Sequence, residues 1–341
     1  MDCHFLSRGI HIEKYDIRDC CVRRNGEKIG IPFVMKIEDV ENFDYDKLFK
    51  LKRELKQEKL ENPTQCKGCV YSNDFENFSN EEIMISYISF NHWNTCNSNC
   101  IYCDKKYNGG DFYYNILPFV KGLIKTDKVK HSGEILFLGG EPTLLPEIDD
   151  LLTIFLERNF KIKIFSSGIK YSDLIAKGLR ENLVTLVISP DTGKKETYER
   201  IKRVKQFDRV WDNIRKYSLS KNEENVNVKM IIIPGINDTT EEVDMFLKKA
   251  KESNINRIVI DVEAGYGGKY EHNLPNVRYL IEYIKYKCEK ENIAWDVYSI
   301  AVMVERNTEK PDLPKAEYEI KNRYEEIRTK YAYRNIDYNY T

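Results

Sequence analysis

The chain has 341 residues, enough for one large α/β domain with an appendage or for two ordinary domains. Its 54 Lys and Arg nearly balance 55 Asp and Glu, so no long-range field points to nucleic acid or to an anionic membrane surface. No apolar run approaches the roughly 18 residues of a membrane span, and Met1-Asp2-Cys3-His4-Phe5 lacks the charged start and apolar run of a secretory signal.

The expected location is therefore cytoplasmic, where thiols stay reduced. Nine cysteines is an odd inventory for that setting: Cys3, Cys20, Cys21, Cys66, Cys69, Cys96, Cys100, Cys103 and Cys288. An odd count in a reducing compartment points away from a disulfide framework and towards metal ligation. All but Cys288 fall before residue 104.

In chain order, residues 1–75 carry the first five cysteines and an extended stretch over Gly9–Val22. A charged helix follows over Tyr45–Lys59 and stops before Asn62-Pro63. Residues 74–82 read as a polar linker. Short apolar runs then alternate with helical patterns. The runs are Ile83–Phe90, Glu134–Leu138, Lys161–Phe165, Leu183–Ser189, Asn227–Ile233 and Asn256–Val262. Six βα units in order imply a parallel sheet buried on both faces, as a barrel or as an open doubly wound sheet. The tail carries a helix over Val277–Glu291, an apolar run over Ala294–Val304 and a Tyr- and charge-rich end.

Cys96-Asn-Ser-Asn-Cys100-Ile-Tyr-Cys103 directly follows the first apolar run. Three thiolates spaced C-x3-C-x2-C can take three corners of a cubane, which normally has four cysteine ligands. One iron is then left open for a substrate or cofactor. A structural zinc ion would want a fourth protein ligand; the nearest candidate, His92, is expected within the strand as a packing or substrate-facing residue.

This loop, with Tyr102 before its last cysteine, resembles the signature of the radical S-adenosylmethionine superfamily. The resemblance continues at successive strand ends. Gly139-Gly140-Glu141-Pro142 matches the family's Gly-Gly-Glu-Pro motif, in which glycines let backbone approach the ligand and the carboxylate accepts from an ammonium group. Ser166-Ser167-Gly168 stands at the family's polar turn, Ser189-Pro-Asp191-Thr-Gly193 resembles its Ser-x-Asp-x-Gly segment, and Ile233-Pro-Gly235 lies where the family sets backbone against adenine. An arginine contact to S-adenosylmethionine falls in Ile201–Phe207, where Lys202 or Arg203 can serve and Arg203 is taken.

The resemblance implies a partial (β/α)6 barrel of TIM type, a [4Fe–4S] cluster on Cys96, Cys100 and Cys103, and reductive cleavage of S-adenosylmethionine to a 5′-deoxyadenosyl radical. The cofactor-binding residues expected from it are Tyr102, Gly139, Gly140, Glu141, Pro142, Ser167, Ser189, Asp191, Arg203 and Gly235. A flavodoxin- or ferredoxin-type donor would supply the electron. The N-terminal cysteines resemble an auxiliary-cluster module of the SPASM type, here placed before the barrel instead of after it. Cys3, Cys20, Cys66 and Cys69 would hold a second [4Fe–4S] cluster, with zinc as the alternative; spacing does not separate Cys20 from Cys21. The division expected is an auxiliary module over 1–75, the radical domain over 82–270 and an extension over 271–341.

Cys288 lies on one helical face with Leu280, Ile281 and Ile284, which suits a core thiol or a hydrogen-atom donor. Asp261 and Glu263 close the sixth strand and are expected to face the cavity. The basic run Lys194–Lys205 reads as a solvated helix face. The function expected is hydrogen abstraction from a small molecule such as a sugar, sugar nucleotide or aminocyclitol, ending in epimerisation, dehydrogenation or rearrangement. Two alternatives stand beside it, a peptide-modifying enzyme of the same superfamily and a non-catalytic iron–sulfur electron-transfer protein.

Overall fold

The computed structural model describes residues 8–14, 16–18, 33–37, 40–61, 83–103, 114–220, 225–263 and 275–330. Two compact units account for the chain, one of Met1–Thr95 with Gly110–Ile164, the other of Cys96–Gly109 with Phe165–Thr341.

In the first unit, β4 (Ile85–Phe90) is buried along its whole length. The run ISYISF is apolar on both faces apart from two serines, the pattern of a strand covered on both sides. β5 (Val129–Phe137) lies parallel to it, and β6 (Lys161–Ser166) begins parallel to β5. On the other side β1 (Gly9–Ile12) also runs parallel to β4, with Gly9 opposite Tyr87 and Ile12 opposite Phe90. β2 (Asp16–Arg18) and β3 (Phe33–Lys36) continue that edge in antiparallel sense. Within the extended stretch of the sequence, Gly9–Ile12 and Asp16–Arg18 are thus part of this unit's sheet, joined to the first βα strand. GIHI is wholly buried, and only pairing with a neighbour satisfies its backbone there.

Helix α1 (Tyr45–Glu61) secures this edge through the buried Lys52, whose Nζ donates to the Gly9 carbonyl at 2.8 Å. α2 (Leu117–Lys125) and α3 (Ile148–Glu157) complete the first unit. α3 buries Ile148, Leu151, Leu152, Phe155 and Leu156, the i, i+3, i+4 stripe of an amphipathic helix.

In the second unit β7 (Val184–Ile188), β8 (Val226–Ile232), β9 (Arg257–Val262) and β10 (Ala294–Val297) form a parallel series. Its helices are α4 (Asp173–Arg180), α5 (Lys195–Lys202), α6 (Phe207–Ser220), α7 (Thr240–Glu252), α8 (Pro275–Glu291), α9 (Ser299–Asn307) and α10 (Glu317–Lys330). The apolar run 294–304 divides into β10 and α9, because short apolar runs look alike as strand and helix. Both units are α/β with largely parallel strands, as the six-unit pattern expects, and β10 adds one strand to it.

Candidate active site

The cysteine loop belongs to the second unit, and α5 holds it in place. The last carbonyls of a helix have no partner in their own helix. Here the Ile201 carbonyl accepts from Ile101 N and the Lys202 carbonyl from Asn99 N, both at 3.0 Å. The helix stops because Arg203 takes a left-handed backbone, φ 56°, which turns the chain away from these carbonyls. Ile101 packs with Ile201, Ile231 and Ile233 in one buried cluster. Within the loop Cys103 N donates to the Cys100 carbonyl at 3.1 Å. Cys96, Cys100 and Cys103 are half-buried, and none is in a disulfide.

Beneath the loop lies a charged group that the sequence does not announce. Lys202 Nζ donates to Asp191 Oδ2 at 2.5 Å and to the Tyr102 hydroxyl at 2.6 Å. Tyr102 in turn donates to the same Asp191 oxygen at 2.8 Å. Asp191 Oδ1 accepts from Ile231 N at 3.1 Å. Burial disfavours the Lys202 charge, but Asp191 and the neighbouring Cys100 outweigh it and raise its pKa above the ordinary lysine value. Burial, then Asp191, pushes the Tyr102 hydroxyl well up. Burial also raises the Cys100 thiol, with Lys202 acting against the rise.

Asp191 is fully buried, and its carboxylate oxygens hold Tyr102, Lys202 and the Ile231 N–H. One expectation changes here. Lys202 is 4% exposed, not part of a solvated face. Arg203, the residue taken from Ile201–Phe207, is exposed and caps α5. Sequence reading also passed over Asn237, which is wholly buried and binds the main chain of Asp191, Ile231 and Ile233. Its only signal was an Asn close behind the Ile-Pro-Gly turn.

The remaining expected residues are placed as follows. Ser167 Oγ donates to Asn97 Oδ1 at 2.9 Å, tying the β6 turn to the cysteine loop. Ser189 is half-buried and its N–H donates to the Ser166 carbonyl at 3.4 Å. Gly235 is exposed with φ 79°, a backbone that favours glycine. Cys288 is fully buried on α8, which packs against α7, α9, α10 and β10, and burial pushes its thiol up to about 12. Asp261 Oδ2 lies 3.7 Å from Lys229 Nζ.

The Gly-Gly-Glu-Pro turn belongs to the first unit. Gly140 N donates to the Trp93 carbonyl at 3.2 Å and Glu141 N to the Thr95 carbonyl at 2.8 Å. A Cβ on Gly140 would sit 2.2 Å from the Thr95 oxygen. The close approach that demands glycine is therefore to the chain's own segment before the cysteine loop. Glu141 is buried, and its Oε1 accepts from Thr143 N at 3.1 Å and Thr143 Oγ1 at 2.7 Å, while Pro142 opens a short 3-10 turn. His92 lies beyond the end of β4, not within it, buried among Phe90, Trp93 and Tyr114 with Glu147 at 3.9 Å. Burial lowers its pKa against the opposing pull of Glu147.

Cys3, Cys20, Cys21, Cys66 and Cys69 lie outside the described residues. Among the described residues, no three His, Cys, Asp or Glu side chains gather closely enough for a single metal ion. A cubane asks for a wider spread, because each thiolate holds a different iron, whereas one zinc ion draws its thiolates in to about 2.3 Å. Three half-buried thiols on one anchored loop, with no histidine among them, are a donor set that fits an iron–sulfur cluster.

Residues 90–250, just under half of the chain, match the Radical SAM superfamily. Its members use a [4Fe–4S] cluster and S-adenosylmethionine. The chain is 27% identical over 197 residues to the GTP 3',8-cyclase of Clostridium botulinum (strain Okra / Type B1), covering 54% of this chain and 59% of that one. It is 28% identical over 203 residues to the GTP 3',8-cyclase of Clostridium acetobutylicum, covering 58% and 63%. It thus spans less than two thirds of these relatives. Streptococcus suis SuiB bound to S-adenosylmethionine shares the fold, with TM-score 0.53 and 16% identity over 80% of this chain and 59% of that one. SuiB bound to its precursor peptide SuiA gives TM-score 0.52 and 18% identity over 80% and 58%. Among the described residues no helix is long and apolar enough to cross a membrane.

Proposed function

We propose that the chain cleaves S-adenosylmethionine reductively and removes a hydrogen atom from a small-molecule substrate. Cys96, Cys100 and Cys103 would hold three irons of the cluster. The observation that carries this reading is the cysteine loop itself, three thiols on a backbone anchored to the end of α5 and underlaid by Tyr102, Lys202 and Asp191. When bound, the cluster and S-adenosylmethionine together supply the one-electron cleavage that yields a 5′-deoxyadenosyl radical. This chain's residues bind and orient. Glu141, whose Oε1 is held by Thr143, would receive the ammonium group, and Gly139, Gly140 and Pro142 would shape its turn. Ser167, Ser189 and the backbone at Gly235 line the strand ends where the adenosyl part would lie.

Support for a small substrate comes from the second unit. Lys229 and Asp261 form a mostly buried ion pair, with Lys229 Nζ 5.8 Å from the Phe165 ring centre and Phe165 6.4 Å from Tyr298. Charge beside aromatic rings suits a polar molecule such as a sugar, sugar nucleotide or aminocyclitol, and the curated relatives are named for acting on a nucleotide. Modification of a peptide is the alternative. The electron would come from a flavodoxin- or ferredoxin-type donor, and Cys3, Cys20, Cys66 and Cys69 would hold the second cluster, or zinc.

Anaerobic reconstitution with iron and sulfide, reduction and addition of S-adenosylmethionine is the test. 5′-Deoxyadenosine should form with the parent and be lost in Cys96→Ala, Cys100→Ala and Cys103→Ala. A reconstituted, reduced parent that makes none overturns the reading. Stimulation of this product by peptides but not by sugar nucleotides would replace the small-molecule class with the peptide one.

A further inference from the structure

We propose that Lys202 is a positioning residue for the cluster, locking the cysteine loop onto α5 and setting its ammonium against the Tyr102 hydroxyl, within the loop that carries Cys100 and Cys103. The inference rests on the cluster assignment above and goes beyond it to a residue outside the three thiols.

Two independent links run between Lys202 and the loop. Its carbonyl accepts from Asn99 N. Its Nζ donates to the Tyr102 hydroxyl at 2.6 Å. The loop's Cys100 and Cys103 stand on either side of Ile101 and Tyr102, so whatever fixes those two residues sets the directions of both thiols. Asp191 Oδ2 accepts from the same ammonium at 2.5 Å and from the Tyr102 hydroxyl at 2.8 Å, closing a triangle that fixes all three groups. Lys202 offsets the buried Asp191 carboxylate beneath the loop, and removing it would leave that negative charge uncompensated and disfavour the reduced, more negative cluster, because cluster potentials follow net charge and nearby hydrogen bonds. A lysine with only a structural task would leave the potential where it is.

The experiment uses the full reconstituted chain, with parent, Lys202→Gln and Lys202→Arg compared by iron content and by an electron-resonance-monitored redox titration. The cluster in question is recognised by the change in its signal on adding S-adenosylmethionine. Lys202→Gln is expected to shift the midpoint to more negative values, and Lys202→Arg to keep it near the parent. Loss of iron from a folded Lys202→Gln protein while Lys202→Arg retains it also supports the role. Full iron at the parent's midpoint in Lys202→Gln overturns it. A parent with no such cluster overturns the assignment beneath it instead. Should Lys202→Gln not fold, Tyr102→Phe decides, since it removes the hydroxyl link and keeps the charge. Faster release of iron to a chelator supports the lock, and an unchanged rate refutes it.

Discussion

Asn237 joins the two strand ends that carry the site: its Nδ2 donates to the Asp191 carbonyl at 2.8 Å and to the Ile231 carbonyl at 2.9 Å. Its Oδ1 accepts from Ile233 N at 2.6 Å. With no exposed surface, water has no access to replace any of the three bonds. Asn237→Ala should therefore cost about 2–4 kcal/mol, since each orphaned buried polar group costs about 1–3 kcal/mol. Urea melts should show a lower midpoint at an unchanged slope.

Asp191 balances Lys202 in a setting closed to solvent. Removing one partner of a buried pair costs about 3–5 kcal/mol, while exchanging both for apolar groups is much milder. Asp191→Asn should be destabilised by that amount, and the Asp191→Asn/Lys202→Met double variant by less than either single change, since Asn tolerates the φ of 63° at this position and keeps an acceptor for Ile231 N. A double-mutant cycle in thermal melts checks this, and strict additivity would refute it.

Gly140→Ala should damage both fold and cofactor binding. Its new Cβ would meet the Thr95 oxygen at 2.2 Å, and that carbonyl is held by Glu141 N, so backbone has to yield. An expected loss of about 1–3 kcal/mol, typical of overpacking, should come with weaker S-adenosylmethionine binding in calorimetry. A variant that melts and binds like the parent would refute the prediction.

His11 gives the chain a specific acid sensitivity. Burial, helped by the Lys52 charge, lowers its pKa to about 3, and its Nδ1 pairs with Ser89 Oγ at 2.6 Å. The unfolded chain takes up this proton near pH 6.5 and the folded chain only near pH 3, so stability from this group falls as pH drops through that window and is complete above it. His11→Asn should flatten part of the loss between pH 7 and pH 4 in urea melts. Equal slopes in parent and variant would count against it.

Cys288→Ala tests the thiol on α8. A core role predicts a loss of about 1 kcal/mol from the small cavity, with substrate turnover retained. Full 5′-deoxyadenosine formation with lost product formation would instead restore the hydrogen-donor reading.

Much of this was legible before the fold was seen. The strands Ile85–Phe90, Lys161–Ser166 and Val226–Ile232 follow from apolar runs of the length that a doubly covered sheet demands. The cysteine loop was legible because three thiols at close spacing have few other uses. Less legible was β1, four residues whose partner β4 lies far along the chain and leaves no periodic trace. Lys202 was misread for a similar reason. A lysine in a basic run looks solvated until an aspartate from another strand end is brought against it.

The three-cysteine loop, its order before the Gly-Gly-Glu-Pro and Ser-Pro-Asp segments, and the succession of strands and helices were determined by the sequence itself, since each rests on neighbouring residues. Only the tertiary structure decided that Asp191 holds Tyr102 and Lys202, that Gly140 makes room for Thr95, and that Lys202 rather than Arg203 reaches Tyr102. Burial and charge pairing are properties of residues distant in the chain, and they acquire a sign only when folding removes the water between them.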